Sequence, residues 1–207
     1  MKHIPLFIMI LSATLFSQNV EILEGDYSNL KGISAYNLIF DYSNIKVPDY
    51  DTEKEFLNYK VQEYNSIESG KGEKFKKDWY SDREKYYEPE FIERFNYYLK
   101  KANIKVGKNL DNVDYTNLKA VDYVMKIHTI KIYTEYSNDE NIANSKITVN
   151  ISIYNSNEPD NILLKVRYNE INSGAYKNVN QDTKVFKSYG QLGKLVAVGI
   201  RKNLNKL

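Results

Sequence analysis

Ser145-Lys146-Ile147-Thr148-Val149-Asn150-Ile151-Ser152-Ile153-Tyr154 is the stretch that decides the fold. Along an extended chain Ile147, Val149, Ile151 and Ile153 point one way, while Thr148, Asn150 and Ser152 point the other. That is a half-buried strand with one wet side, as antiparallel sheets have. Downstream, Asn157-Glu158-Pro159-Asp160 supplies turn chemistry, and Ile162, Leu164, Val166 and Tyr168 repeat the alternation. Upstream, Tyr123 to Tyr133 reads as another strand whose alternation slips near Thr129-Ile130, the mark of a bulge. The three runs predict an antiparallel meander.

The first half has a different rhythm. Asn19 to Gly32 shows little periodicity and reads as an irregular entry segment with turns at Glu24-Gly25-Asp26 and Lys31-Gly32. Ile33 to Tyr42 alternates loosely, with Tyr36, Leu38 and Phe40 on one side, and is expected to be the first strand. After Val47-Pro48-Asp49, Thr52 and Glu55 form a T-x-x-E capping box that starts a helix. Its apolar face is Phe56, Leu57, Val61, Tyr64 and Ile67. Gly70-Lys71-Gly72 breaks the pattern, lacking the G-x-x-x-x-G-K-[ST] frame that cradles phosphate. A second helix then carries Phe75, Trp79, Arg83 and Tyr86-Tyr87, and Pro89 can open a third, with Phe91, Phe95 and Tyr98 on one face. Lys105 to Leu118 reads as a connection.

A last helix is expected from a cap at Asp182 or Thr183 to about Leu204, packing through Phe186, Tyr189, Leu192, Val196 and Ile200. Gly190, Gly193 and Gly199 each cost a helix roughly 1 kcal/mol relative to Ala, and close approach of this helix to the sheet would account for them. The reading is an α+β domain: a small, mostly antiparallel sheet of one early strand plus the meander, a helical insertion at about 52–101, and a covering C-terminal helix, with sheet and helix spanning about 122–204.

Ahead of this domain, Lys2 and His3 precede the apolar run Ile4 to Phe16, closed by Ser17-Gln18. Residues 1–18 have the n-region, h-region and end of a secretory signal peptide, and the apolar core is too short for a permanent span. Cleavage is expected near Ser17 or Gln18. With no cysteine in the chain to take a lipid, the product is expected to be exported to the periplasm or beyond, without a lipid anchor or a transmembrane segment. Residues 19–207 are about 190 residues, enough for one domain with a sizeable core.

Composition narrows the chemistry. Without Lys2 the chain holds 28 basic against 27 acidic residues. Such a balance gives no global field for nucleic acid, which is set aside as a partner. The lack of cysteine also removes disulfides, thiolate metal sites and thiol catalysis. His128 is the one histidine left after the signal, so there is no multi-histidine metal site, and no G-x-S-x-G elbow accompanies it. Asp49, Asp51 and Glu53 have the spacing of a calcium loop, but Lys54 and Lys60 stand where an EF-hand needs glycine and a bidentate glutamate. They are read as acidic residues favourable to a helix N-terminus. Neither metal nor cofactor is expected.

The densest candidate is Trp79 to Phe95. Here Trp79, Asp82, Arg83 and Tyr86, with Tyr87 and Phe91 beside them, mix aromatic faces with fixed charge, as a surface for a sugar or peptide would. Alternatively, Asp82 and Arg83 cap or pair locally while the aromatics fill the core. Glu84, Glu88 and Glu90 could supply a carboxylate pair for hydrolysis, although acidic residues are too common here to single out two. The nineteen tyrosines fit a binding surface, or the codon usage of an AT-rich genome.

Ser69-Gly70-Lys71-Gly72, Trp79, Ser81-Asp82-Arg83-Glu84, Glu88-Pro89, Phe91 and Phe95-Asn96 together resemble exported proteins of Bacteroidetes whose function is uncharacterised. Glu24-Gly25-Asp26, Leu30-Lys31-Gly32, Asp122-Tyr123-Val124 and Tyr189-Gly190 with Gly193 extend the resemblance over most of the mature chain. It implies a location and no reaction. A fainter, fold-level likeness is to small envelope domains such as the TolB N-terminal domain and LptE-type assembly proteins. The functional expectation is a cell-envelope protein that binds or assembles with another protein or an envelope glycan without catalysis. The alternative is a carboxylate-based periplasmic hydrolase, and a third reading is an assembly factor working through an exposed sheet edge.

Overall fold

The computed structural model describes residues 19–110, 122–134, 145–172 and 184–204. The expected signal segment 1–18, positions 111–118 of the expected connection, and the expected Asp182 or Thr183 cap lie outside the described residues. In chain order the elements are β1 (Val20–Gly25), β2 (Ala35–Asp41), α1 (Glu53–Ile67), α2 (Lys71–Asp82), a π turn (Arg83–Tyr87), α3 (Glu88–Leu99), β3 (Lys105–Gly107), β4 (Tyr123–Tyr133), β5 (Lys146–Asn155), β6 (Glu158–Asn172) and α4 (Lys184–Leu204). Among the described residues no helix is long and apolar enough to cross a membrane.

The class is α+β, and the sheet is larger and more mixed than expected. Its order is β1-β6-β5-β4-β2-β3. The meander β4-β5-β6 is antiparallel, and the slip in β4 is a bulge between Thr129 and Lys131. At that bulge Lys46 inserts a parallel bridge, donating to the Ile130 carbonyl at 2.9 Å and accepting from the Ile132 N–H at 3.0 Å. β2 lies parallel to both β4 and β3, so the chain between β2 and its parallel neighbours must cross over, and the helical insertion is that crossover.

Two strands correct the sequence reading. Val20–Gly25, expected to be irregular, is β1, antiparallel to β6 with a bulge between Ile22 and Glu24. All six of its residues are exposed, so no buried apolar run announced it. Lys105–Gly107, expected to be connection, is β3; three residues are too few to show a period of two. The β5–β6 turn is also tighter than expected. β6 already begins at Glu158, and Pro159 sits in the irregular stretch between the Asn155↔Glu158 and Tyr154↔Ile162 pairs, where a missing N–H costs no ladder bond.

The helices lie on one face of the sheet. Ile147, Val149, Ile151 and Ile153 of β5 and Leu164, Val166 and Tyr168 of β6 are buried in one cluster with Phe56, Phe91, Phe95, Tyr189, Leu192 and Ile200. The other face carries the half-buried Lys126, His128, Asn150, Ser152, Lys165 and Arg167. Thr52 caps α1 as read, its Oγ1 accepting from the Glu55 N–H at 3.2 Å, while Glu55 reaches back to the N–H of Asp51 at 3.1 Å. The apolar face of α1 fades along the helix: Phe56 and Leu57 are buried, Val61 and Tyr64 half-buried, and Ile67 is 69% exposed. Gly72 explains where α1 stays in contact, since a Cβ there would stand 2.3 Å from the Val61 carbonyl oxygen.

α2 and α3 are not separate helices as the sequence suggested but one helical path broken only by the π turn, with Pro89 in the first turn of α3. The α4 glycines also take a different neighbour from the expected one. A Cβ on Gly193 would lie 2.5 Å from the Phe91 carbonyl oxygen, one on Gly190 2.7 Å from the Glu90 side chain, and one on Gly199 2.9 Å from the Tyr27 hydroxyl. Close approach is the reason for them, but to α3 and to Tyr27 rather than to the sheet.

Candidate functional site

The π turn (Arg83–Tyr87) sits at a cluster of charged and aromatic side chains drawn from α1, α2, α4, the end of β2 and the π turn itself. A π turn adds a residue to the helical ladder, rotates everything after it, and is found often at functional sites. Here it lets Trp79 and Tyr87 both face inward, at 6% and 5% exposed, while Tyr86 between them stays 54% exposed.

Glu53, in the first turn of α1, is the anchor. Its Oε1 accepts from Trp79 Nε1 at 2.7 Å and also from the guanidinium of Arg83. The Glu53 and Arg83 side chains are 15% and 13% exposed, so this is a largely desolvated, charge-assisted pair. The guanidinium carbon lies 4.7 Å from the ring centroid of Tyr42 and 4.9 Å from that of Tyr80, within cation–π range of both. Arg83 Nε and the Tyr42 hydroxyl are buried with no hydrogen-bond partner among the described residues.

Behind this pair, Tyr87 stacks on Tyr189 at 5.0 Å between centroids, and the Tyr189 hydroxyl shares a 2.7 Å hydrogen bond with Thr129 Oγ1. Burial pushes the Tyr42 hydroxyl far above the ordinary tyrosine range, helped by Tyr189 and Glu88 and opposed by Arg83. Burial likewise raises Tyr189, against the hydrogen bond it shares with Thr129. Tyr80, at the rim, is raised by burial and by the Glu53 charge, with Arg83 opposing. All three phenols are therefore protonated and uncharged at physiological pH.

The four residues singled out in the sequence do not form one surface. Trp79 is packed against Phe56, with ring centroids 5.0 Å apart. Arg83 is committed to Glu53, Asp82 is half-buried, and Tyr86 is turned outward with its ring 6.3 Å from that of Phe186. Tyr80, which the sequence reading passed over, is 42% exposed. In the sequence Glu53 reads only as part of the calcium-like run, Tyr189 only as a packing residue of the last helix and Tyr42 only as the end of the first strand. Nothing local ties them to Arg83, because Glu53 lies 30 residues before it and the other two sit on separate elements. Tyr80 alone had a signal, standing three residues before Arg83 on the same helix.

The remaining candidates are dispersed. His128 is on the far face of the sheet, its Nε2 donating to the Ser43 carbonyl at 3.1 Å. Glu84 is exposed, Glu88 is held by Lys108 at 2.6 Å, and Glu90 by Arg94 at 3.1 Å, so each of these carboxylates has a different setting. Glu53 of the calcium-like run belongs to Trp79 and Arg83. Among the described residues no group of three or more His, Cys, Asp or Glu side chains could hold a metal ion. No protein-family model and no curated protein matches the chain.

What the cluster offers a ligand is thus its rim. Inside are a neutralised ion pair and protonated phenols; at its edge is the Tyr80 ring over Arg83, and apart from it on the same helical path is the Tyr86 ring beside Phe186, with the Lys187 ammonium 4.4 Å from the Phe186 centroid.

Proposed function

We propose that this chain is an exported cell-envelope protein, periplasmic or secreted and free of a lipid anchor, that binds its ligand without transforming it. Of the two ligands considered, another protein or an envelope glycan, the site favours the glycan. The observation that carries this reading is the exposure of two tyrosine rings on one helical path, Tyr80 at 42%, packed over the Arg83 guanidinium, and Tyr86 at 54%, beside Phe186. Phenol rings offer sugars an apolar face and a hydroxyl together, and lose little rotamer freedom on contact. Resemblance to exported Bacteroidetes proteins and the signal-like residues 1–18 support the location.

Binding of solubilised peptidoglycan and lipopolysaccharide oligosaccharides, measured by calorimetry, tests the reading. Tyr80→Ala and Tyr86→Ala should each weaken binding roughly fivefold, as expected for the loss of about 1 kcal/mol of aromatic contact. Equal affinity in both variants, or no binding by the unaltered protein, would refute it. Mass spectrometry of the same oligosaccharides after incubation separates it from the hydrolase alternative, for which cleaved products would be required.

A further inference from the structure

We infer that the free edge of β1 is a docking site for an extended segment of a partner protein in which apolar side chains alternate with lysine or arginine. Among the described residues β1 ends the sheet, paired with β6 on one side only. The Asn169 N–H donates to the Asn19 carbonyl at 2.7 Å, and the ladder continues as Val20↔Tyr168, Glu21↔Arg167 and Ile22↔Val166. In an antiparallel ladder, hydrogen-bonded and non-hydrogen-bonded pairs alternate. Asn19 and Glu21 therefore spend their backbone groups on β6, while Val20 and Ile22 turn theirs outward. Two N–H and two C=O groups at a spacing of two residues are the template on which a further strand adds.

Side chains specify which strand. Val20 and Ile22 share the helix side of the sheet with Tyr168 and Val166, both 2% exposed, yet are themselves 39% and 50% exposed. An added strand with apolar residues at matching positions would extend the core over them. On the opposite side, Glu21 and Glu24 stand beside Arg167 and Lys165. Arg167 is turned inward along its row, its Nε donating to Asn150 Oδ1 at 3.1 Å, and among the described residues no ion pair closes on Glu21 or Glu24. Each row thus runs from a cation on β6 to an exposed carboxylate on β1, and a cation on the next strand completes it. A second copy of this chain fits worse, since pairing β1 with itself gathers four glutamates on one seam. The bulge after Ile22 and the acidic side chains also keep neutral strands off the edge, which gives the site its selectivity.

Fluorescence anisotropy with two labelled peptides of alternating sequence, one valine and lysine, the other valine and glutamate, tests this on the purified protein. The lysine peptide should bind at least tenfold more tightly, and Ile22→Pro should abolish that binding, because proline deletes an outward N–H without touching the β6 ladder. Glu21→Lys with Glu24→Lys, which leaves the backbone intact, should reverse the peptide preference even if the proline variant fails to fold. Equal binding of the two peptides, lysine-peptide binding indifferent to the charge reversal, or a concentration-dependent dimer that Ile22→Pro dissociates would each overturn the proposal. Tyr80→Ala should not alter peptide affinity, so the outcome is independent of the glycan site.

Discussion

Gly193 of α4 lies against the backbone carbonyl of Phe91 in α3, so close that a Cβ on the glycine would stand 2.5 Å from the oxygen. The contact is backbone to backbone, and neither helix can move aside without opening the core around Phe91 and Leu192. Alanine would gain about 1 kcal/mol of helix propensity, but relieving the clash costs typically 1–3 kcal/mol. Gly193→Ala is therefore expected to lower the melting temperature by several degrees. Gly199→Ala meets only the Tyr27 hydroxyl at 2.9 Å, the far end of a side chain that can yield, and should be near neutral. Thermal unfolding of both variants checks the contrast; equal shifts would contradict it.

The Glu53–Arg83 pair predicts an asymmetry. Glu53 holds two donors, Trp79 Nε1 and Arg83, whereas Arg83 has its rings as well as its carboxylate. Glu53→Ala leaves a buried guanidinium without its counter-charge and should cost about 3 kcal/mol or more, the usual effect of removing one partner of a buried pair. Arg83→Met keeps an apolar stem against Tyr42 and leaves Glu53 still hydrogen-bonded by Trp79, so it should cost less. Urea unfolding of both single variants and the double variant gives the coupling, which is expected to make the double variant more stable than the two losses added.

What could be read from the sequence follows how much of each element is buried on one face. β5 was legible residue by residue because its alternation coincides with burial, and Thr129-Ile130 betrayed a bulge because it breaks the same rule. β1 was invisible because both of its faces are wet, and β3 because three residues carry no period. The end of α1 misled for the converse reason: Ile67 continues the apolar spacing past the point where α2 still covers it. At the candidate site the sequence located the helix but not its partners. Trp79, Arg83 and Tyr86 are close along one helix, while the side chains that decide their roles, Glu53, Tyr42 and Tyr189, come from three other parts of the chain, and a π turn shifts which of neighbouring tyrosines faces in.

Four tyrosines whose hydroxyls are withdrawn from water make the fold sensitive to alkali. Burial raises Tyr36, Tyr42, Tyr168 and Tyr189, with added repulsion from Tyr123 on Tyr36, from Tyr189 and Glu88 on Tyr42, and from Tyr27 on Tyr168. In the unfolded chain each ionises near 10. A raised folded-state value means the stabilisation is fully present below about pH 10 and is lost above it, as the unfolded state sheds protons the native state keeps. Tyrosinate absorbance during an alkaline titration should therefore show an exposed class first and a second class appearing together with loss of circular dichroism. Smooth ionisation of all tyrosines before unfolding would contradict it.

At the acid end the wet face of the sheet takes over. Burial works to raise the Asp41 carboxyl, but the Lys126 ammonium at 2.8 Å and the N–H and hydroxyl of Ser43 at 2.9 and 2.6 Å outweigh it and hold the group well below the carboxylate range. Glu170 is lowered chiefly by Lys146 at 3.1 Å, against burial and with the Tyr133 hydroxyl assisting. Both folded-state values are depressed, so their contribution is present above the unfolded value of about 4 and is lost as pH falls through the lower folded one. These groups face solvent, and the effect should be modest and shrink with added salt. Unfolding free energies followed downward from about pH 5 should fall less steeply for Asp41→Asn than for the unaltered protein, because the variant has no proton to take up there. Parallel curves for the two would mean that the Lys126 pair does not distinguish folded from unfolded chain.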